Sequence, residues 1–371
     1  MIERTVRTDR LDVALALWGF YPAVDPASGL RLPRGFSMRA LVFDGQGGMS
    51  LQSRAKPSLG DDSVLIAPSR VGICGTDLHL LTGDYPLGRF PCIAGHEFAG
   101  RVVAVGATVS RFAPGDRVCV DPNISCGQCV MCRAGAPNLC SHLVPVGVTI
   151  DGAFAERVAV PEKIVHRLPA HLDMASGALI EPLACVVHAL ERAPDLRGGS
   201  VLIYGAGSIG LMAIALARHH GAAHVEVIEP SATRRDAALD LGADGVFAPG
   251  ERRIARDIGF VIEASGHPLA VADALEQLAP RGVLIQMGVC SPEATIALHP
   301  FDLFDRELTL IGSQSLSGAY ERAIGITAAL PDLAKKIVSH VYDLAEAPEA
   351  FAMARSETAR KVQIRCDAAG I

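Results

Sequence analysis

Large aromatic side chains are scarce in this chain, with one Trp, five Tyr and twelve Phe among 371 residues. Glycine stands at 37, so a fold of small, close-packed elements with many tight turns is expected rather than a large aromatic core. No stretch approaches the ~18 consecutive apolar residues needed to span a bilayer, so no membrane partner is expected. An excess of one charge is missing as well. Forty acids against 34 Lys and Arg leave a formal net charge of -6, which gives no electrostatic reason to expect nucleic acid. The sequence also lacks a secretory signal: the longest apolar run near the N-terminus, 14–20, is short, and Asp9 and Asp12 spoil it. A cytoplasmic location is therefore expected.

The length and the 50% apolar content suit two domains, each able to bury a core. Residues 1–37 read as an N-terminal extension, because Met38 opens a strand-like run to Phe43. From there to about 169, short apolar runs at 63–67, 98–105, 117–120 and 154–160 are broken by Gly and Pro, the rhythm of a compact β-rich domain. From about 200 the pattern alternates. Strand-like 201–204, helical 209–220, strand-like 225–228 and helical 232–241 are followed by 260–263, 271–278 and 283–286. Such alternation predicts a parallel sheet with crossover helices. A tail of about 55 residues, too small to be independently stable, is expected to pack back on the first domain.

Cysteine is what the chain has in number, and four of the ten fall within fifteen residues. Cys126, Cys129, Cys132 and Cys140 are separated by two, two and seven residues, so one loop can curl four thiolates around a tetrahedral cation. Zn²⁺ fits, in a closed and therefore structural site. An iron-sulfur cluster is the chemical alternative. A second set is dispersed: Cys74, Thr76, Asp77 and His79, then His96 and Glu97, then Glu181. It supplies one soft ligand, one imidazole and two carboxylates for a divalent metal with an open position.

Gly205, Gly207 and Gly210 follow a strand and open a helix, the context a dinucleotide-binding turn requires. Gly205 permits the tight turn, Gly207 lets a pyrophosphate approach the backbone, and Gly210 lets the helix pack closely on the sheet. Glu229, nineteen residues past Gly210, stands where a carboxylate accepts hydrogen bonds from the ribose hydroxyls of NAD and repels the extra phosphate of NADP. Arg234 and Arg235 complicate this choice, since either can neutralise a 2'-phosphate. Glu263 and Asp240 read as ordinary strand-end and helix-surface acids, respectively.

The segments Gly72-Ile-Cys-Gly-Thr-Asp-Leu-His79, Gly95-His-Glu97, the four-cysteine lobe, Glu181-Pro-Leu-Ala184, Gly205-Ala-Gly-Ser-Ile-Gly210 and Ser231-Ala-Thr-Arg234 occur in one order. By them the chain, from about 38 to its end, resembles the zinc-containing medium-chain alcohol dehydrogenases, and their sorbitol (polyol) dehydrogenase branch most closely. The resemblance implies an α/β fold: a GroES-like β-rich catalytic domain over 38–183 with 316–371, and a Rossmann doubly wound parallel-sheet domain over 184–315. It implies two Zn²⁺ per chain and NAD, a small polar alcohol or ketone as substrate, and a homodimer or homotetramer. Cys74 and His96 become fixed ligands, with Glu97 or Glu181 as the third; Glu181 stands where other members have a second Cys. Thr76 would take the alcohol proton and pass it toward His79 through the cofactor ribose, while Asp77 orients the ligands from behind. The expected cofactor contacts are Gly205, Gly207, Ile209, Gly210, Glu229, Arg234 and Val289. A polyol or cyclitol oxidation to a ketone is the first reading and a threonine dehydrogenase-like amino alcohol oxidation the second. A non-catalytic binding member of the fold is the third, against which the proton relay speaks.

Overall fold

The computed structural model describes residues 37–367, so the expected extension, apart from Ser37, lies outside the described residues. Two bodies of sheet follow from the two rhythms of the sequence. In the alternating region, strands Gly245–Phe247, His224–Ile228, Ser200–Tyr204, Ile258–Glu263, Leu278–Gln286 and Thr309–Gly312 lie side by side in that order, all parallel. Successive side chains of a strand point to opposite faces, and here both faces are covered. Val201 and Ile203 enter one apolar cluster, Leu202 and Tyr204 another. Burial on both sides is why the strands read as continuous apolar runs.

The crossover helices begin where their sequences allow. Ser208–His219 starts at Gly207, Ala232–Asp240 is capped by Ser231, whose hydroxyl accepts from Arg234 N, and Pro268–Gln277 carries Pro in its first turn.

The β-rich region builds a seven-stranded sheet around Ser63–Gly72, which pairs antiparallel with Glu97–Val105 and with Val158–Pro161. A smaller sheet joins Met49–Ala55, Ser37–Phe43 and Cys92–Ile93. The strand expected over 154–160 is confined to Val158–Pro161. Phe154, fully buried, spends its backbone crossing between sheets: its N–H donates to Ala94 O at 3.0 Å and its carbonyl accepts from Leu41 N at 2.8 Å. At the far end of the chain, Lys361–Arg365 pairs antiparallel with Ser63–Gly72 and parallel with Val338–Asp343. The tail thus supplies strands to the sheet that carries residues 63–72 and 97–105.

Helix Ile180–Glu191 begins two residues before Pro182 and lies between the two bodies. Leu183 and Val187 bury in the same cluster as Leu211 and Ile214 of the first crossover helix. Among the described residues no helix is long and apolar enough to cross a membrane.

Candidate active site

Cys74 stands at the N-terminus of the short helix Gly75–Thr82, and Asp77 inside that helix organises what surrounds it. Fully buried, Asp77 accepts from Cys74 N at 2.9 Å through Oδ2 and from Gly95 N at 3.3 Å through Oδ1. The same Oδ1 lies 3.5 Å from His96 Nδ1. With Nδ1 turned to a carboxylate, Nε2 is the nitrogen left for a metal, the usual carboxylate–histidine–zinc arrangement.

Glu97 opens the strand Glu97–Val105 and has no exposure to solvent. Its carboxylate lies against the backbone of Gly72, where an added Cβ would stand 2.0 Å from Oε2. Oε1 accepts from Lys361 Nζ at 2.7 Å. Oε2 lies 2.5 Å from the same nitrogen but accepts no well-directed hydrogen bond. Lys361 also donates to Ile73 O at 3.0 Å. Cys74, His96 and Glu97 each offer a ligand atom within 4.8 Å of the others. Glu181 is outside that triplet yet close to it: burial pushes its carboxyl up to about 8, His96 acts against this, and Glu97 adds to it. On its own helix, Cys185 Sγ stands 4.0 Å from its Oε1.

A soft thiol, an imidazole, a buried carboxylate oxygen without a hydrogen bond and a second carboxyl held high by burial form a donor set that fits one divalent cation with a position to spare. Thr76 is half-buried and His79 exposed, three residues apart on one helix face. No hydrogen bond joins them directly among the described contacts.

The four lobe cysteines converge. Their sulfurs are separated by 3.5 Å for Cys129–Cys132 and Cys126–Cys140, and by 3.9 Å for Cys126–Cys132 and Cys129–Cys140. A tetrahedron with Zn–S bonds of about 2.3 Å has edges of about 3.8 Å. That spacing suits one ion; a cluster of several irons spreads its cysteines farther apart. It is also far too long for a disulfide. Backbone N–H groups of Cys126 and His142 donate to Cys140 Sγ at 3.3 Å. Hydrogen bonding at the backbone of Cys132 and Ser141 holds the Cys129 thiol down to about 5.

At the glycine-rich turn, Gly205 has φ +89 and Gly207 has open space where a side chain would be. A Cβ on Gly210 would stand 1.8 Å from Gly205 O, so the helix can lie this close only with glycine there. Glu229 is buried: Oε2 accepts from Ala206 N at 2.7 Å and Oε1 from Ser231 N at 2.9 Å. Arg234 donates to the carbonyls of Ala359 and Ser356, at 3.1 and 3.0 Å, and Arg235 to those of Glu229 and Pro230, both at 2.7 Å. Ile209 is half-buried against the core, and Val289 is 87% exposed beside Gly266.

Three participants escaped the sequence reading. Lys361 carried no signal, since a lone Lys in a strand-like tail is ordinary. Glu263, read as an ordinary acid, is fully buried and accepts from Ser265 N at 2.8 Å, Gly266 N at 3.0 Å and Gln286 Nε2 at 2.6 Å, so it shapes two turns at the sheet edge. Asn138 bonds across 176 residues to Gln314.

Residues 60–170 match the family described as alcohol dehydrogenase GroES-like domain, and 208–329 that described as zinc-binding dehydrogenase. A D-altritol 5-dehydrogenase of Agrobacterium fabrum is 35% identical over 89% of this chain and 100% of its own length. An L-threonine 3-dehydrogenase of Streptomyces avermitilis is 41% identical over 69% of this chain and 78% of its own. A zinc-binding dehydrogenase from Sinorhizobium meliloti 1021, solved with NADP, superposes with a TM-score of 0.85 at 34% identity, covering 89% of this chain and 99% of that one.

Two closed or open donor sets imply two ions of different lability. Elemental analysis is expected to find two zinc ions per chain. A mild chelator should remove the ion at Cys74 and His96 first, abolishing activity while the circular dichroism of the fold is kept; unfolding that precedes inactivation would contradict the assignment.

Proposed function

The chain belongs to the zinc-binding alcohol dehydrogenases with a GroES-like domain, and from this we propose that it oxidises a secondary alcohol of a polyol, cyclitol or related small polar alcohol to a ketone with NAD. The observation that carries the reading is the donor set of half-buried Cys74 with buried His96 and Glu97, with Glu181 delivered close to it on a helix packed against the one that opens at the glycine-rich turn. That helix joins the metal set to the first crossover helix of the dinucleotide-binding sheet. Zinc would lower the proton affinity of the alcohol, and NAD would accept the hydride from its carbon.

The chain's own groups do the rest. Cys74, His96 and one of the two carboxylates hold the ion, and Asp77 fixes the ring of His96. Lys361 pairs with Glu97, while Glu181 lies outside the Cys74, His96 and Glu97 triplet; either carboxylate can complete the set, and Glu181→Gln separates them. Thr76, half-buried beside Cys74, takes the alcohol proton, and exposed His79 delivers it to water. A cytoplasmic enzyme accords with ten cysteines of which none forms a disulfide, a state that a reducing compartment preserves. Amino alcohols remain the second reading, because a threonine dehydrogenase is among the relatives.

Glu181→Gln removes charge and keeps shape. Zinc affinity at the open site is expected to fall, by ~10- to 100-fold even for a carboxylate that acts on the ion from behind a ligand, and turnover on a panel of sugar alcohols, cyclitols and L-threonine to fall with it. Unchanged zinc binding and turnover would leave Glu97 as the only carboxylate at the metal. A panel on which L-threonine alone is oxidised would select the second reading.

NAD preference rests on Glu229, since both arginines beside it are spent on backbone carbonyls. Its carboxylate would repel a 2'-phosphate. Glu229→Ala is expected to weaken NAD and relatively favour NADP in paired KM measurements; a wild type that already prefers NADP would refute this role.

A homo-oligomer is also proposed. The sheet ends on an edge strand, Thr309–Gly312, with Leu310 on it 43% exposed, and the neighbouring helix Pro300–Asp305 shows Phe301 and Phe304 at 69% and 80%. An edge strand with apolar neighbours is an unstable surface unless covered, and a second copy of the same edge is self-complementary about a two-fold axis. Light scattering should give a multiple of 38.9 kDa, reduced by Phe304→Asp. A monomeric wild type would sink the interface.

A further inference from the structure

Residues 313–318 form the turn that leaves the last strand of the parallel sheet, on the same edge as Gly205, Glu229 and Gly266. The crevice outside the carboxyl ends of such strands is where a dinucleotide lies. The backbone of this turn is strained: Ser315 has φ +56 and Ser317 φ +29, ahead of Gly318 at +72. Side-chain-bearing residues hold such angles only where the surroundings over-determine them.

Most of what over-determines the turn comes from the neighbourhood of the cysteine lobe. Asn138 Nδ2 donates to Gln314 O at 2.7 Å and to its Oε1 at 3.2 Å, and Asn123 Nδ2 donates to Ser315 Oγ at 2.9 Å. From the sheet, the turn receives one further bond, Ser313 N to Gln286 O at 2.9 Å. Leu316 is fully buried. Asn138 is 6% exposed and sits in the short helical turn Pro137–Leu139, between Cys132 and Cys140 in sequence and two residues from the latter. Its position is therefore set by the ring of thiolates. Its Oδ1 has no hydrogen-bond partner, and beside it lies a cavity of about 170 Å³ lined also by Asp121, Lys163, Ser317 and Gly318. That cavity adjoins Ser317 and Gly318, so without the amide the chain has room to relax.

We propose that Asn138 is a positioning residue, through which the metal-holding lobe fixes the shape of the turn 313–318 at the edge of the cofactor crevice. The lobe then has a task beyond local stability: an ion 126–140 holds in place constrains a backbone more than 170 residues away. The identity of the cofactor rests on the dehydrogenase reading; the link between lobe and turn does not.

Asn138→Ala and Asn138→Asp test it, the latter keeping size while setting an acceptor against the Gln314 carbonyl. Amide exchange over 313–318 is expected to accelerate about 10-fold or more in both, and the NADH dissociation constant read by fluorescence to rise about 10-fold. Two zinc ions should remain and the melting temperature should stay within about 3 °C. Asn123→Ala, losing a single bond to a side chain, should show the same changes in smaller measure. Unaltered exchange over 313–318 in both Asn138 variants would overturn the proposal, as would loss of the lobe zinc together with a fall in melting temperature. A wild type that binds no NADH, with exchange still responding to Asn138, would refute the cofactor reading and support the link.

Discussion

The buried ion pair between Lys361 and Glu97 is the contact on which the site depends. Both side chains are almost wholly withdrawn from water. Removing two charges from water costs several kcal/mol per ion before their attraction repays it, so such a pair is a poor way to stabilise a sheet. Its placement gives it another meaning. Ile73, whose carbonyl Lys361 also holds, precedes Cys74, and Glu97 follows His96. One ammonium from the end of the chain thus grips the backbone before one metal-ligating candidate and the side chain after another. The sheet register that brings Gln363 opposite Gly72 is what delivers it there. Without the tail, the buried Glu97 carboxylate would lose its ammonium partner.

The two metal constellations are built on opposite principles. The lobe takes its four sulfurs from one loop, and its geometry is complete within itself, at sulfur spacings of 3.5 to 3.9 Å. The other set is assembled from a helix N-terminus, the start of a strand and a helix from the interface between the two sheets. Nothing local forces these together. Asp77 does so for Cys74 and His96 by accepting from the backbone on both sides. Glu181 is the exception, brought by helix packing, and burial pushes its carboxyl up to about 8, with His96 and Lys361 only partly offsetting it. A closed, self-contained site keeps its ion; one with a coordination position to spare can admit an oxygen ligand and release it.

What was legible in the sequence follows from that contrast. Gly205, Gly207 and Gly210, and the four lobe cysteines, act through spacing along a few residues, and the backbone angles and sulfur distances realise the spacing directly. The sheet was legible too, because burial on two faces writes continuous apolar runs into strands such as Ser200–Tyr204. Lys361, Glu263 and Asn138 were not. Each has a partner brought near by the fold rather than by proximity in the chain, from 23 residues for Glu263 and Gln286 to 264 for Lys361 and Glu97, although Glu263 also bonds to its neighbours Ser265 and Gly266. A polar residue whose partner is that remote reads as an ordinary surface residue. The run 154–160 was legible only in its second part: Val158–Pro161 is a strand, but Phe154 is buried outside any strand, where burial needs no period of two.

Arg234 and Arg235 carry this further. In sequence, two arginines after an acidic strand end suggest a site for a 2'-phosphate, and charge alone cannot exclude it. In the fold, their guanidinium groups are committed to carbonyls, and those of Arg234 belong to Ser356 and Ala359. Ser231, which caps the same helix, donates its hydroxyl to Glu357 O at 3.0 Å. The stretch 356–359 is therefore fastened to the corner where Glu229 stands, and two residues later Lys361 enters its pair with Glu97. A single short segment of the tail touches both the acidic corner of the dinucleotide site and the carboxylate of the metal site. Covalent connectivity over so few residues leaves little slack, since an extended chain spans at most ~3.6 Å per residue. The relative placement of the two sites is set by this segment as well as by the helix Ile180–Glu191, which explains why a tail too short to fold alone is bound into the centre of the molecule rather than its surface.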